Sequence, residues 1–311
     1  MAEWHSDWHR SRGAMNYTWR GLDIHYQTAG THLAGKPVVL VHGFGASSDH
    51  WRHNLPVLGQ SHPTFAVDLL GFGASAKPTP TAEIPYTFET WGALVADFIR
   101  EVVGQPAAVV GNSIGGIVAL QTAVTAPEQV LQVGLLNPSL RLLHVRKRQE
   151  LPWYRRWGAP LLQNLLGWEP FGAWFFHRLA RPPVIRRILL QAYARPTAVT
   201  DELVQILYRP SQDPGAVGVF LAFVRYSDGP LLDDLLPQMT CPVLLVWGES
   251  DPWEPVALGR ALAQTFPQVR QFIPLPGVGH CPQDEAPELV NPLLLEWLRE
   301  VNPKPEQPVP G

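Results

Sequence analysis

Three residue types needed for nucleophilic catalysis occur far apart in this chain, each beside a strong local signal. A serine sits inside Gly111-Asn112-Ser113-Ile114-Gly115, a carboxylate inside Gly248-Glu249-Ser250-Asp251-Pro252, and a histidine inside Gly277-Val278-Gly279-His280-Cys281. A serine hydroxyl is a poor nucleophile until an imidazole takes its proton. The imidazole in turn needs a carboxylate to hold its tautomer and stabilise its cation. Ser113 is the expected nucleophile, His280 the base, and Asp251 the acid, with Glu249 as runner-up. Asn137 follows another apolar run, but an amide cannot carry the charge. The oxyanion formed in such chemistry needs backbone N–H donors, which we assign to Ile114, the residue after the serine, and to Phe44 in His42-Gly43-Phe44-Gly45.

These residues are useful only if the fold gathers them. The apolar run ending at Val110 reads as a strand and Ile117 to Ala126 as a helix, so Ser113 falls on a sharp strand-to-helix turn. Glycines at 111 and 115 leave room for that turn. Pro37 to Val41, Thr64 to Asp68, Val130 to Asn137, Pro242 to Trp247 and Arg270 to Leu275 read as further strands. Most of these are continuous apolar runs, as expected of strands buried on both faces. Residues 15–20 and 22–28 read as a hairpin turning at Gly21, forming an antiparallel edge. Trp91, Leu94, Val95, Phe98, Ile99, Val102 and Val103 repeat at helical spacing, and Ala286 to Val301 reads as a closing helix. Strand–helix alternation predicts an α/β fold, a mostly parallel sheet with helices on both faces. A ligand site then belongs at the carboxyl ends of the strands.

The alternation lapses over 140–235, a helical, Arg-, Pro- and aromatic-rich stretch expected to form a lid. The expected division is a core of 1–139 and 236–301, the lid at 140–235, and a Pro-rich, disordered tail at 302–311. Trp153, Trp168, Trp174 and Phe175 in the lid are candidates for holding a bulky apolar substrate. The same aromatics would equally serve to pack the lid on the core.

With 24 basic and 27 acidic residues the chain has no charge excess suited to nucleic acid. The Arg146-Lys147-Arg148 run reads as a solvated helix face. The N-terminus lacks the apolar segment of a secretion signal, and no stretch approaches the roughly 18 apolar residues of a membrane span. Transient contact with a membrane surface stays open. Cys241 and Cys281 flank a predicted strand and are expected to be unpaired, which points to a reducing, cytoplasmic setting. His5, His9, His50 and His53 have helical spacing but no completing ligands, so they are expected to be surface residues, with no metal and no cofactor. Gly71-Phe72-Gly73 lacks the third glycine of a dinucleotide fingerprint.

Taken in order, the His42-Gly43 loop, the serine elbow, Asp251 and His280 make the chain resemble the α/β-hydrolase superfamily over nearly its full length. Tyr226-Ser227-Asp228-Gly229-Pro230, Trp247 to Pro255, Gly279 to Glu285 and the elbow Gly-Asn-Ser-Ile-Gly-Gly are similar to the pheophytinase and chlorophyll dephytylase group. That resemblance implies hydrolysis of the phytyl ester of chlorophyll-type pigments. The plant members carry a plastid-targeting extension that this chain lacks, which implies a bacterial or cyanobacterial relative. The same residues also suit carbon–carbon bond hydrolysis, a general lipase or esterase, or a ligand sensor that closes its lid on binding.

Overall fold

The computed structural model describes residues 14–141, 144–147 and 165–299. The Pro-rich tail therefore lies outside the described residues. Eight strands form one sheet: β1 (Ala14–Trp19), β2 (Leu22–Ala29), β3 (Val38–Val41), β4 (Thr64–Val67), β5 (Ala107–Asn112), β6 (Val130–Leu136), β7 (Val243–Gly248) and β8 (Val269–Leu275). Their order is β1-β2-β4-β3-β5-β6-β7-β8. β1 and β2 form the antiparallel edge, and every pair from β4 to β8 is parallel. This is the mostly parallel sheet that the alternation predicts.

Helices cover both faces: α1 (Phe88–Phe98), α2 (Ile114–Thr125), α3 (Glu169–Leu179), α4 (Pro182–Ala192), α5 (Asp201–Tyr208), α6 (Ala216–Arg225), α7 (Val256–Thr265) and α8 (Pro287–Arg299). Four of them, α3 to α6, lie between β6 and β7, where the described residues contain no strand. The predicted helix running to Val103 instead ends its α-helical part at Phe98 and closes through one π turn, Ile99–Val103, at a left-handed Gly104. The predicted helix at 117 begins earlier, at Ile114, so the serine abuts it directly.

Strand periodicity explains why both faces are filled. Val39 and Val41 of β3 join the cluster containing α1 and α2, while Val38 and Leu40 join the cluster built on Trp51, Leu294 and Trp297. β7 divides the same way, with Leu245 and Trp247 on the first side and Leu244 and Val246 on the second. Successive side chains of a strand point to opposite faces, so a run that is apolar throughout buries both. Each fully buried residue of this size contributes about 1.5–3 kcal/mol. Because β3 to β8 run parallel, their carboxyl ends deliver His42, Asp68, Ser113, Asn137, Asp251 and His280 to one edge.

Leu40 is fully buried at the centre of this sheet. Leu40→Ala should destabilise the protein by about 2–5 kcal/mol, read as a lower urea midpoint with unchanged slope.

Candidate active site

Ser113 sits between β5 and α2 with φ 56° and ψ −123°, a left-handed conformation that costs a non-glycine residue on the order of 1–3 kcal/mol. Its flanks explain how the turn is tolerated. A Cβ on Gly111 would lie 2.1 Å from the Gly115 carbonyl oxygen, and one on Gly115 would lie 2.4 Å from that of Val41. Side chains at either position would push β5, α2 and β3 apart. Ser113 itself is half-buried, and its N–H donates to Leu136 O at 3.1 Å. Its carbonyl accepts from Gly116 and Ser139, each at 3.0 Å. Ile114 opens α2, where first-turn N–H groups have no partner within the helix.

The loop after β3 presses against this turn. A Cβ on Gly43 would come within 3.2 Å of Ser113 Cβ, so the backbone of Gly43, one residue before Phe44, passes directly beside the serine. His42 fixes that loop. Its Nε2 accepts from Leu69 N–H at 3.0 Å, so its other nitrogen carries the proton and donates to Gly43 O at 2.7 Å. Complete burial pushes the imidazole pKa down, which keeps it neutral and suited to this two-way link. The neighbouring loop is tied down by Asp68, whose carboxylate accepts from Ser48 N–H at 2.5 Å, Ala74 N–H at 2.7 Å and His25 Nδ1–H at 2.9 Å. Burial alone would push this carboxyl up, but the bonds and the charge of His25 hold it well below the usual range.

On the other side of the serine, Asp251 Oδ2 accepts from His280 Nδ1–H at 2.7 Å and from Asn137 Nδ2 at 2.7 Å. Asp251 Oδ1 accepts from the N–H groups of Trp253 at 2.9 Å and Glu254 at 3.1 Å. Four donors suit a carboxylate, and the proton held on Nδ1 leaves His280 Nε2 as the basic nitrogen. Glu249, the runner-up acid, is exposed. The Trp253 ring meets His280 edge-on at 4.9 Å. The His280 carbonyl accepts from Asn112 Nδ2 at 3.0 Å, which ties the histidine loop to the residue preceding the serine.

Two residues here had little sequence signal. Asn137, at φ 41°, grips Asp251 through its amide nitrogen and accepts from Gly248 N–H at 2.9 Å. Its place at a strand end was the only hint. Glu254 is buried beside the Asp251 loop, and its Oε2 has no partner among the described residues. Burial pushes its carboxyl up to about 7, against the opposing pull of Leu140 N–H and the His280 charge.

The His280 loop is also held from the end of α4 and the segment that follows it. His280 N–H donates to Ala192 O at 2.8 Å, and Glu285 accepts from Gly279 N–H at 2.8 Å and Arg195 N–H at 2.7 Å. Tyr193 OH donates to Asp284 at 2.9 Å and accepts from His50 Nε2 at 2.9 Å. This corrects the expectation that His50 is a surface residue: it is buried, and burial pushes its pKa down to about 4. His53 is exposed, while His5 and His9 lie outside the described residues. Both cysteines are free, and burial pushes the Cys281 thiol well up, which disfavours a thiolate beside His280.

A cavity of about 60 Å³ opens beside Phe44, bounded by Phe72, Phe176, Val219 and Phe220. Of the aromatic candidates between β6 and β7, Trp153 lies outside the described residues. Trp168 and Trp174 are 62% and 53% exposed, and half-buried Phe175 lies 6.4 Å from Phe220. It is the next residue, Phe176, that reaches the cavity.

Comparison with known proteins agrees with this architecture. A model of the alpha/beta hydrolase family matches residues 38–293. The chain is similar to chloroplastic pheophytinase of Arabidopsis thaliana, 27% identical over 90% of this chain and 65% of that one, so it spans just under two thirds of that relative. It is also 27% identical to the uncharacterised hydrolase YugF of Bacillus subtilis, over 91% of this chain and 97% of that one. Among solved structures, a probable hydrolytic enzyme from Pseudomonas aeruginosa superposes with a TM-score of 0.73 at 25% identity, covering 92% of this chain and 94% of that one.

A raised carboxyl pKa in the folded state makes Glu254 favourable while protonated, below about pH 4.5. That contribution falls as pH rises and is lost above about 7. Between pH 5 and 8 the wild type should therefore lose up to about 3 kcal/mol relative to Glu254→Gln, a difference of several degrees in Tm by scanning calorimetry.

Proposed function

Because this chain belongs to the alpha/beta hydrolase family and is a hydrolase, we propose that it is a serine-dependent carboxylic ester hydrolase acting on a bulky hydrophobic ester, first of all the phytyl ester of chlorophyll or pheophytin. The observation that carries the serine reading is the hydrogen-bonded Asp251–His280 pair, tethered through Asn112 to the left-handed Ser113. In this reading His280 Nε2 takes the proton of Ser113 as the hydroxyl attacks the ester carbonyl. Asp251 holds the opposite nitrogen and stabilises the imidazolium. The N–H groups of Phe44 and Ile114 receive the negative charge on the carbonyl oxygen, each contributing about 3–4 kcal/mol to lowering the barrier. His280 then returns the proton to the leaving alkoxide, which departs as phytol, and water releases the acid from the acyl-enzyme by the same route. Asn137 is a positioning residue in this scheme, since it acts through Asp251.

The substrate class rests on two supports. One is the similarity to a relative named pheophytinase. The other is the apolar cavity beside Phe44, lined by Phe72, Phe176, Val219 and Phe220. In this reading residues 140–235 act as a lid above the serine. Esters of this kind reside in membranes, so contact with a membrane surface belongs to the same proposal.

Purified protein should release phytol from chlorophyll a or pheophytin a, resolved by chromatography, and should turn over short p-nitrophenyl esters. Ser113→Ala should lower kcat for both by roughly four to six orders of magnitude with an unchanged circular dichroism spectrum. Turnover of the short esters alone would remove the phytyl assignment and leave the esterase. Undiminished turnover by Ser113→Ala would remove both. Asp251→Asn should lower kcat by about four orders of magnitude, while Glu249→Gln should leave it within a factor of about two.

A further inference from the structure

Eleven large hydrophobic side chains are exposed among the described residues, and five of them, Leu165, Trp168, Trp174, Ile188 and Leu190, fall within 165–190. An even scatter would put about one there. The same stretch carries Arg178, Arg181, Arg186 and Arg187 against one acidic residue, Glu169, in a chain of net charge −3. Helix α3 is two-faced. Phe176 packs on Phe220 of α6 at 5.3 Å, and a Cβ on Gly172 would lie 2.3 Å from Leu221, so this side faces the protein. The other side presents Trp174 and, one turn on, Arg178, whose guanidinium lies 5.4 Å from the indole centroid. α4 repeats the arrangement, with Leu189 and Ala192 buried and Arg187, Ile188 and Leu190 exposed. Arg186 is drawn to Asp201, while Arg178, Arg181 and Arg187 remain at the surface.

We propose that the outer faces of α3 and α4 form a docking surface for a membrane that carries anionic lipid. Tryptophan with arginine on a helix face is the composition of the membrane–water interface. The indole enters the headgroup layer and the guanidinium stays with the phosphates. A second copy of the chain is disfavoured as the occupant, because a two-fold contact would set these arginines against one another. The docking deepens the ester-hydrolase reading, on which its purpose rests, by naming the surface from which a membrane-held ester is taken. Trp168 and Trp174 serve there as anchors outside the cavity.

The test is flotation of the full chain with vesicles of phosphatidylcholine, with and without roughly one third phosphatidylglycerol. Binding should be confined to the anionic vesicles and fall as salt rises. The double variant Arg178→Glu, Arg187→Glu should bind roughly tenfold or more weakly, with unchanged turnover of a short water-soluble p-nitrophenyl ester. Trp174→Ser should also bind more weakly, which separates insertion from simple charge attraction. Failure to bind the anionic vesicles, equal binding by the charge-reversed variant, or a dimer in gel filtration that the variant dissolves would each overturn the proposal. Absence of ester turnover in the wild type would instead overturn the ester-hydrolase reading and leave the vesicle result standing.

Discussion

Much of this structure depends on satisfying the hydrogen-bonding capacity of one buried carboxylate. Asp251 has four hydrogen-bond donors: two backbone N–H groups from its own loop, the Asn137 amide and the His280 ring. A buried carboxylate without such partners would be neutral or very costly. Each donor comes from an element that must therefore be placed accurately. Asn137 takes up a left-handed conformation at the end of β6, Trp253 and Glu254 turn back after β7, and the His280 loop returns after β8. Satisfying Asp251 thus brings the ends of three adjacent strands into register.

A comparable economy governs the serine. The strain at Ser113 is tolerated because Gly111, Gly115 and Gly43 let three backbone segments approach more closely than any side chain would permit. His42 and Asp68 then stop the facing loops from relaxing away. Burial keeps the His42 imidazole neutral, while hydrogen bonding and the charge of His25 keep the Asp68 carboxylate ionised. Rigidity around the serine is thus imposed by buried polar groups bonded to the backbone of its neighbouring loops.

The strands and their edge were legible in the sequence because β3 and β7 are apolar throughout, β5 is apolar up to Gly111, and each ends in a distinctive loop. Whatever depended on meetings across the sheet was not. Nothing local distinguishes Glu249 from Asp251; the turn after Gly248 leaves one exposed and buries the other. Asn137 read as a failed acid because its partner lies 114 positions away. His50 read as a surface residue because the Tyr193 hydroxyl that receives it belongs to a segment 143 positions later. Composition located the aromatics between β6 and β7, but Trp174 and Phe176, two residues apart on α3, face opposite ways.

The backbone bond from His280 to Ala192, with Glu285 capping Arg195, has a consequence for how this protein can be altered. The stretch between β6 and β7 is not a removable cover. Residues 192–195 are part of the scaffold that holds the histidine, whereas α3, α5 and α6 make none of those bonds. A chimera that exchanges the whole stretch for that of another hydrolase takes away the anchor of His280. One that keeps 192–195 and exchanges the helices around it leaves the bonds that hold the His280 loop in place.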